Sequence, residues 1–568
     1  DDFVGPESNW LPPDNYQEAP WFALAERTSP TNIGLWLLAT LAAHDFGYLT
    51  PLQVAERGEA TLDTLNRLER FEGHLLNWYD TRTLQTLAPR YVSTVDSGNL
   101  LTSLWTLAQG YREMSSRLIV GPEVLRGLAD TLALIPIHDW SPSELPRNVD
   151  ARRLRGIARD LARLFADPPD QPGKVAKRLR AAAGPAREFA QMLRSISSAL
   201  PGPSTRDDEA EAAYWSTQVE RQVQAWLDIV DRCYPSDEHL PGVTSDSPED
   251  LAARFQRLTA RVESLADAMN MRFLYDPKRR LFTVGYNVDD RRSDSSYYDL
   301  LASEARMASL VAIARGDVPA EHWYALGRPF GKSHGHRVLF SWSGTMFEYL
   351  MPLLLTRNYR HTLLDEALRE AVRLQIAYGR QQRVPWGISE SAFAAFDTNL
   401  VYQYQAFGVP GLGLKRGLAD DLVVAPYASV LALMVDRETA LENLKRLAQS
   451  GLRGGYGYYE SVDYTQRRQI RGNHGVVVQS YMVHHQGMTL LALDNVLNDD
   501  VMPGRFHADH RVQAVEPLLF EKSPVAPLLV AATERGEARA RLTEARPAEP
   551  TAPLDAPASA THLLGNGA

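Results

Sequence analysis

The sequence predicts an all-α-dominated fold, with helical hairpins packed around a common axis and their loops gathered on one face. Three observations lead there. Apolar residues recur with a 3.6-residue period along most of the chain. β-Branched alternation is confined to short stretches, best seen in residues 280–288 (RLFTVGYNV) and 475–483. Long loops rich in Gly, Pro and aromatic residues separate the periodic segments, and such loops carry function on a rigid scaffold.

The elements follow in order. Ser29-Pro30-Thr31 reads as an N-cap with Pro at the first helical position, after which Leu35, Leu38, Leu41 and Ala42 keep the helical period. Leu104, Leu107 and Tyr111 repeat it, as do Leu300, Glu304, Met307 and Val311, and then Leu363, Leu368 and Leu374. Residues 146–232 differ, being rich in Ala, Arg, Leu and acids (RRLRGIARDLARLF, KRLRAAAGPAREF), with Gly156, Gly173, Gly184 and Gly202 far apart. They read as a helical insertion with solvated charged faces. A basic patch for an anionic partner is the alternative, which the interleaved Asp and Glu weaken. From residue 526 the chain is Ala/Pro/Glu/Arg-rich, a linker or disordered tail.

Composition removes several function classes. The 568 residues carry a formal net charge of −10, with 44% hydrophobic and 23% charged residues, a globular balance with ample material for a large core. The acidic balance argues against a general nucleic-acid binder, which needs clustered Lys and Arg. A single cysteine, Cys233, excludes an intramolecular disulfide framework and a thiolate metal cage. No apolar run approaches a membrane span, and no signal-peptide pattern opens the chain. It opens on Asp1, not Met, which reads as a segment of something longer. GLGLKRG at 411–417 mimics a dinucleotide loop, but FGVP precedes it where a strand is required. His484 and His485 are adjacent, so one helix does not aim both at one metal. HExxH, GxSxG and GxxxxGK[ST] are absent, and no place for a cofactor or metal is recognisable.

What remains are glutamates that interrupt packing runs. Glu304 lies on the apolar stripe of YYDLLASEARMASLVAIARGD, where a carboxylate is costly unless paired. It is either a catalytic carboxyl or half of a salt bridge to an arginine on a neighbouring helix. Glu348 lies in SWSGTMFEYLMPLLL, and Pro352 lacks the N–H that would bond its carbonyl, so the helix bends or frays there. Its apolar setting suits a proton donor with a raised pKa; a partly exposed glutamate at a helix start is the alternative. Glu390, in VPWGISESAF, sits on a turn because Pro385 and Gly387 break any period. Trp386 beside it resembles a sugar subsite, although a capping pair Ser389/Glu390 reads equally well. Glu460 and Asp463 lie in GGYGYYESVDYT, a tight ligand loop or a hairpin. Paired carboxylates with loop aromatics (Trp342, Trp386, Tyr402, Tyr404, Tyr458, Tyr459) suffice for glycosidic-bond chemistry without a cofactor.

At this point whole strings carry a resemblance. RFEGHLLNWYDTRTL, YVSTVDSGNL, YYDLLASEAR, SWSGTMFEYLMPLL, VPWGISESAF, YQYQAFGVPGLGLKRGL and SYMVHHQGMTLLAL resemble the glycoamylase-like middle domain of cyclic β-1,2-glucan synthases, with gaps, over about residues 29–523. The resemblance implies an (α/α)6 barrel, shared with β-1,2-glucanases. It implies a retaining transglycosylase that cuts linear β-1,2-glucan and joins the new end to the chain's own non-reducing end. The family's essential acids fall among Glu304, Glu348 and Glu390; Glu304 and Glu390 are favoured as nucleophile and acid/base, with Glu348 in the same cleft. Trp342, Trp386, Tyr402, Tyr404, Tyr458, Tyr459 and Glu460 are expected on the substrate side.

The expected division is a helical part leading into the barrel (1–145), the insertion (146–232), the barrel core (233–525) and the tail (526–568). In relatives a membrane-embedded glycosyltransferase precedes this region and a phosphorylase-like domain follows it. That implies a place on the cytoplasmic side of the bacterial inner membrane within a larger synthase. An endo-β-1,2-glucanase is the alternative, and a non-catalytic glucan-binding domain a further one; three glutamates on apolar faces argue against the last.

Overall fold

The computed structural model describes residues 2–116, 120–135, 150–199, 206–233, 248–333, 335–469 and 474–530. Most of the expected tail therefore lies outside the described residues. Six helices form an inner ring: α1 (Pro30–Asp45), α3 (Thr94–Ser116), α9 (Arg306–Ala314), α11 (Met346–Leu350), α13 (Pro426–Ala432) and α15 (Val483–Leu497). α1 packs on α3, α3 on α9, α11 on α13, α13 on α15, and α15 returns to α1. The junction of α9 with α11 is made by Arg306, described below. An outer layer backs them: α2 (Pro51–Arg67) behind α1, α8 (Pro248–Ala268) behind α3, and α10 (Glu321–Ala325) with α17 (His510–Val515) behind α9. α12 (Leu363–Gln382) backs α11, α14 (Arg437–Gln449) backs α13 and α16 (Val501–Ala508) backs α15. This is the expected (α/α)6 barrel.

The two layers are written differently in the sequence. α1 is apolar on every side, burying Ile33, Leu35, Leu37, Leu38 and Leu41, as a helix enclosed by neighbours must be. Its start is the expected one: Ser29 accepts the Asn32 N–H at 3.2 Å, with Pro30 at the first position. α2 buries one face (Val54, Ala55, Leu62, Leu65) and leaves Glu56, Asp63 and Asn66 in water. α3 comes unusually close to α9 at Gly98, where an added Cβ would meet the Ala308 Cβ at 2.4 Å. That contact sets the spacing of the next residue, Asn99, from the turn before α9.

Helices α4 (Pro122–Ala133), α5 (Ala151–Phe165), α6 (Pro172–Ala199) and α7 (Arg206–Cys233) pack on one another beside the barrel. They share their own apolar cluster, including Leu128, Ile157, Leu161, Phe165, Phe189 and Trp226. Trp226 ties it to the barrel by donating Nε1–H to the Gly47 carbonyl at 2.9 Å. The segment 146–232 thus holds three of these helices, and α4, upstream of it, supplies the fourth.

The strands are short, as the scarcity of β alternation predicts. Residues 280–288 give Leu281–Phe282 and Gly285–Asn287, and residues 475–483 give Val476–Val478 and Ser480–Met482. Ser391–Phe396 pairs antiparallel with Tyr402–Gln405, setting Ala392 opposite Tyr404. Asn15–Gln17 pairs with Ser480–Met482, carrying the N-terminal segment across the mouth of α15. Among the described residues no helix is long and apolar enough to cross a membrane.

Candidate active site

The N-terminal turns of the inner helices meet at one rim, where their free N–H groups and dipoles favour carboxylates. Glu304 lies at the entry to α9, 6% exposed. Asn99 of α3 donates Nδ2–H to its Oε1 at 2.6 Å, and the Ser303 hydroxyl donates to its Oε2. Burial pushes its pKa up, while these two donors pull it back. The expected amphipathic helix through Leu300 and Glu304 is a misreading. Residues 301–305 are turns, Ser303 adopts a left-handed φ of 53°, and the helix begins only at Arg306. Among the described residues Glu304 forms no ion pair with an arginine; Arg306 reaches it through charge alone.

Glu348 is saturated with donors. It caps its own helix at the third position, with Thr345 Oγ1 accepting its N–H at 3.1 Å and its Oε2 accepting the Thr345 N–H at 3.1 Å. The Ser341 hydroxyl donates to Oε2 at 2.7 Å, and the Ser343 N–H to Oε1 at 3.0 Å. Burial raises its pKa, opposed by these hydrogen bonds. The raised pKa is the one its apolar setting predicts, and the N–H and O–H groups gathered on the carboxyl order the 341–345 loop. The break expected at Pro352 is present, since α11 gives way to a 3₁₀ turn at Met351–Leu354. Arg306 takes over, donating to the Glu348 carbonyl at 2.8 Å and the Tyr349 carbonyl at 2.5 Å. This guanidinium, 4% exposed, binds α9 to α11 directly beneath the carboxylates.

Glu390 stands on the bend before Ser391–Phe396 and is partly exposed. Its pKa is pushed well above the ordinary carboxylate value, first by desolvation and then by Glu304, Glu348 and Glu460. These four carboxyls therefore share one electrostatic site. Tyr427 of α13 fixes the bend, donating its hydroxyl to Ser389 Oγ at 2.7 Å or the Glu390 carbonyl at 2.9 Å.

Glu460 is 2% exposed. It accepts the Ala392 N–H at 3.2 Å and pairs with His485 Nδ1 at 2.9 Å, and desolvation lifts it to about 7. Its carboxyl is closed off from solvent behind Ala392 and His485. Burial lowers His485 far below its usual pKa and takes His484 down to about 3, so both rings are neutral.

The aromatics divide. Trp342 is 59% exposed on the loop that Glu348 orders, its N–H on the Leu301 carbonyl at 3.3 Å. Tyr402 stacks at 4.6 Å on Phe396 at the hairpin that begins with Glu390, and Tyr404 follows two residues on. Trp386 is corrected: it is 5% exposed in the main core, packed on Gly379 of α12 with its backbone tied to Asn443. Tyr458 donates to the Leu444 carbonyl of the outer helix α14 at 2.9 Å. Tyr459 donates to Glu18 at 2.7 Å and packs on Tyr481. These last two, partly exposed, brace the rim through their hydroxyls.

Sequence reasoning missed Asn99, Ser303, Arg306, Tyr427 and His485. A polar residue inside an otherwise apolar helix was the available signal for Asn99. His485 was weighed only as a metal ligand.

A family model described as Glycoamylase, putative glucoamylase, matches residues 296–509, the span that holds Glu304, Glu348, Glu390 and Glu460. The chain is 41% identical over 546 residues to the cyclic beta-(1,2)-glucan synthase NdvB of Rhizobium meliloti (strain 1021). That match takes in 94% of this chain and 18% of the synthase, so the chain spans under a fifth of this relative. Among solved structures, the endo-beta-1,2-glucanase of Chitinophaga pinensis superposes with a TM-score of 0.53 at 13% identity, covering 92% of this chain and 94% of that one. The endo-beta-1,2-glucanase of Talaromyces funiculosus gives 0.54 at 12%, covering 91% and 86%. At such identities these likenesses establish the fold. The chain therefore holds, on an (α/α)6 barrel, a stretch that matches the Glycoamylase family model, and over most of its length it is similar to one segment of a cyclic β-1,2-glucan synthase.

Proposed function

We propose that this chain is the cyclising transglycosylase of a larger β-1,2-glucan synthase, acting with retention on linear β-1,2-glucan through Glu304 and Glu390. Similarity to a synthase segment over nearly the whole chain carries the reading. The site supports it: two carboxyls from different elements share one buried, electrostatically coupled site, and Glu390, raised further than Glu304, is the better suited to carry the proton. The ionised carboxylate attacks the anomeric carbon while the protonated one gives its proton to the departing glycosidic oxygen. The acceptor hydroxyl then attacks the glycosyl ester, returning its proton to the second carboxyl and freeing the first. One glycosidic bond is exchanged for another and no water is consumed.

Asn99 acts through Glu304: its Nδ2 serves Glu304 and Thr31 from a buried position on α3. Trp342 offers a flat exposed face to a pyranose. The synthase setting carries the finer expectation of a place on the cytoplasmic side of the inner membrane, between a membrane glycosyltransferase and a phosphorylase-like domain.

Linear β-1,2-glucan incubated with the protein yields rings that resist an exo-acting β-glucosidase, with little gain in reducing ends. Glu304→Gln and Glu390→Gln each abolish this without unfolding. Azide rescue of the Glu304→Gly and Glu390→Gly variants identifies the nucleophile by the configuration of the glycosyl azide. A steady rise in reducing ends with no resistant product establishes the second reading, an endo-β-1,2-glucanase, which the barrel's likeness to two such enzymes favours.

A further inference from the structure

We propose that Glu460 and His485 form a buried positioning relay that fixes the Tyr404 hydroxyl as a hydrogen-bond acceptor for a glucosyl hydroxyl beside Glu390. The inference rests on the reading of this cleft as a glucan site.

The polarity of the relay follows from its contacts. Glu460 Oε1 already faces the Ala392 N–H at 3.2 Å and Oε2 the Met482 N–H at 3.4 Å, so the carboxylate is an acceptor. The proton of the 2.9 Å contact with His485 therefore sits on Nδ1. A neutral ring protonated on Nδ1 leaves Nε2 as an acceptor, and the group in reach is the Tyr404 hydroxyl at 3.3 Å. Tyr404 donates there. His484 Nε2 lies 3.2 Å from the same oxygen and, protonated on that nitrogen, donates to it. With its proton committed and one lone pair filled, the phenol oxygen has one lone pair left, for an incoming O–H.

The surroundings hold this arrangement still. Tyr427 stacks on His485 with centroids 3.7 Å apart and planes inclined by 12°, and its own hydroxyl reaches the Glu390 bend. Glu460 and His485 are each buried to within 2%. The hairpin register puts Tyr404 opposite Ala392, two residues beyond Glu390. No bond to substrate is made or broken by the relay itself, so Glu460 and His485 act through Tyr404.

The test is made at pH 8 with linear β-1,2-glucan and, for binding, sophorose. Tyr404→Phe is expected to lower kcat/KM about tenfold, the loss of one hydrogen bond at a desolvated site. His485→Gln, whose folding is checked by circular dichroism, is expected to do about the same, and the double variant no worse than either single one. The ¹⁵N resonances of His485 report the Nδ1–H tautomer in the wild type and in Tyr404→Phe, and Glu460→Gln shifts them. Multiplicative losses in the double variant, unchanged kinetics in Tyr404→Phe, or an Nε2–H tautomer in the wild type overturn the relay. A wild type inert towards β-1,2-glucan, with the tautomer as stated, overturns instead the reading of the cleft and with it the ligand named for Tyr404.

Discussion

Glu460→Gln turns a buried charge into a measurable pH dependence. In the folded chain this carboxyl titrates at about 7, against an ordinary value of 4.5, because desolvation outweighs its hydrogen bonds. A raised pKa means that the folded state holds the proton more tightly than the unfolded state. Below about pH 4.5 both states are protonated and there is no penalty. Between 4.5 and 7 the unfolded chain is ionised and the folded chain is not, so stability falls as pH rises. Above 7 the full difference applies, about 3 kcal/mol at 1.36 kcal/mol per pH unit. Glutamine does not titrate; its Oε1 keeps the contacts with His485 and Ala392, and its NH2 facing the Met482 N–H gives a constant offset. The wild type is therefore expected to lose about 2.5 kcal/mol relative to the variant between pH 5 and pH 8, read as urea unfolding midpoints by circular dichroism. Parallel curves for the two proteins across that range would refute the burial argument.

Other substitutions separate support from contact. Trp386→Ala is expected to destabilise by about 3–5 kcal/mol as a core truncation, whereas Trp342→Ala leaves the Tm nearly unchanged and raises KM for β-1,2-glucan several-fold. Arg306→Met orphans the carbonyls of Glu348 and Tyr349, at a cost of about 2–4 kcal/mol in thermal unfolding, and Arg306→Lys recovers part of it. Gly98→Ala forces α9 from α3, expected to cost about 1–3 kcal/mol and to lower turnover by displacing Asn99 from Glu304. Gly156→Ala, in open space on α5, is expected to stabilise by about 0.5–1 kcal/mol with activity unchanged.

The barrel was legible because its helices announce themselves locally. Ser29-Pro30 caps α1, and apolar residues on every side of α1 against one face of α2 already separate the inner layer from the outer. Glu304 stood out as a carboxylate in an apolar run, yet its helix was misread. The left-handed Ser303 is held by the neighbouring Glu304 and Glu348, the latter 45 residues away, and periodicity does not register such a contact. Trp386 is misread for a related reason. A tryptophan near an acid looks the same on paper whether it faces sugar or Gly379. An isolated glutamate shows nothing of the groups of Ser303, Ser341, Ser343 and Thr345 that gather on it. The partnership of Glu460 with His485 is hidden by a gap of 25 residues, although both residues were noticed separately.

The docking of α15 against α1 has a consequence for how the molecule is made. These neighbours lie at opposite ends of the sequence, Pro30–Asp45 and Val483–Leu497, and the strand Asn15–Gln17 likewise waits for Ser480–Met482. At ribosomal speeds of about 5–20 residues per second, some 440 residues take roughly 20–90 s to follow α1 out of the ribosome. Throughout that interval one apolar side of α1 has no native cover. Contacts between such distant partners also slow the final search. A chain that stops anywhere before α15 leaves that side of α1 uncovered and the ring of inner helices open between α13 and α1.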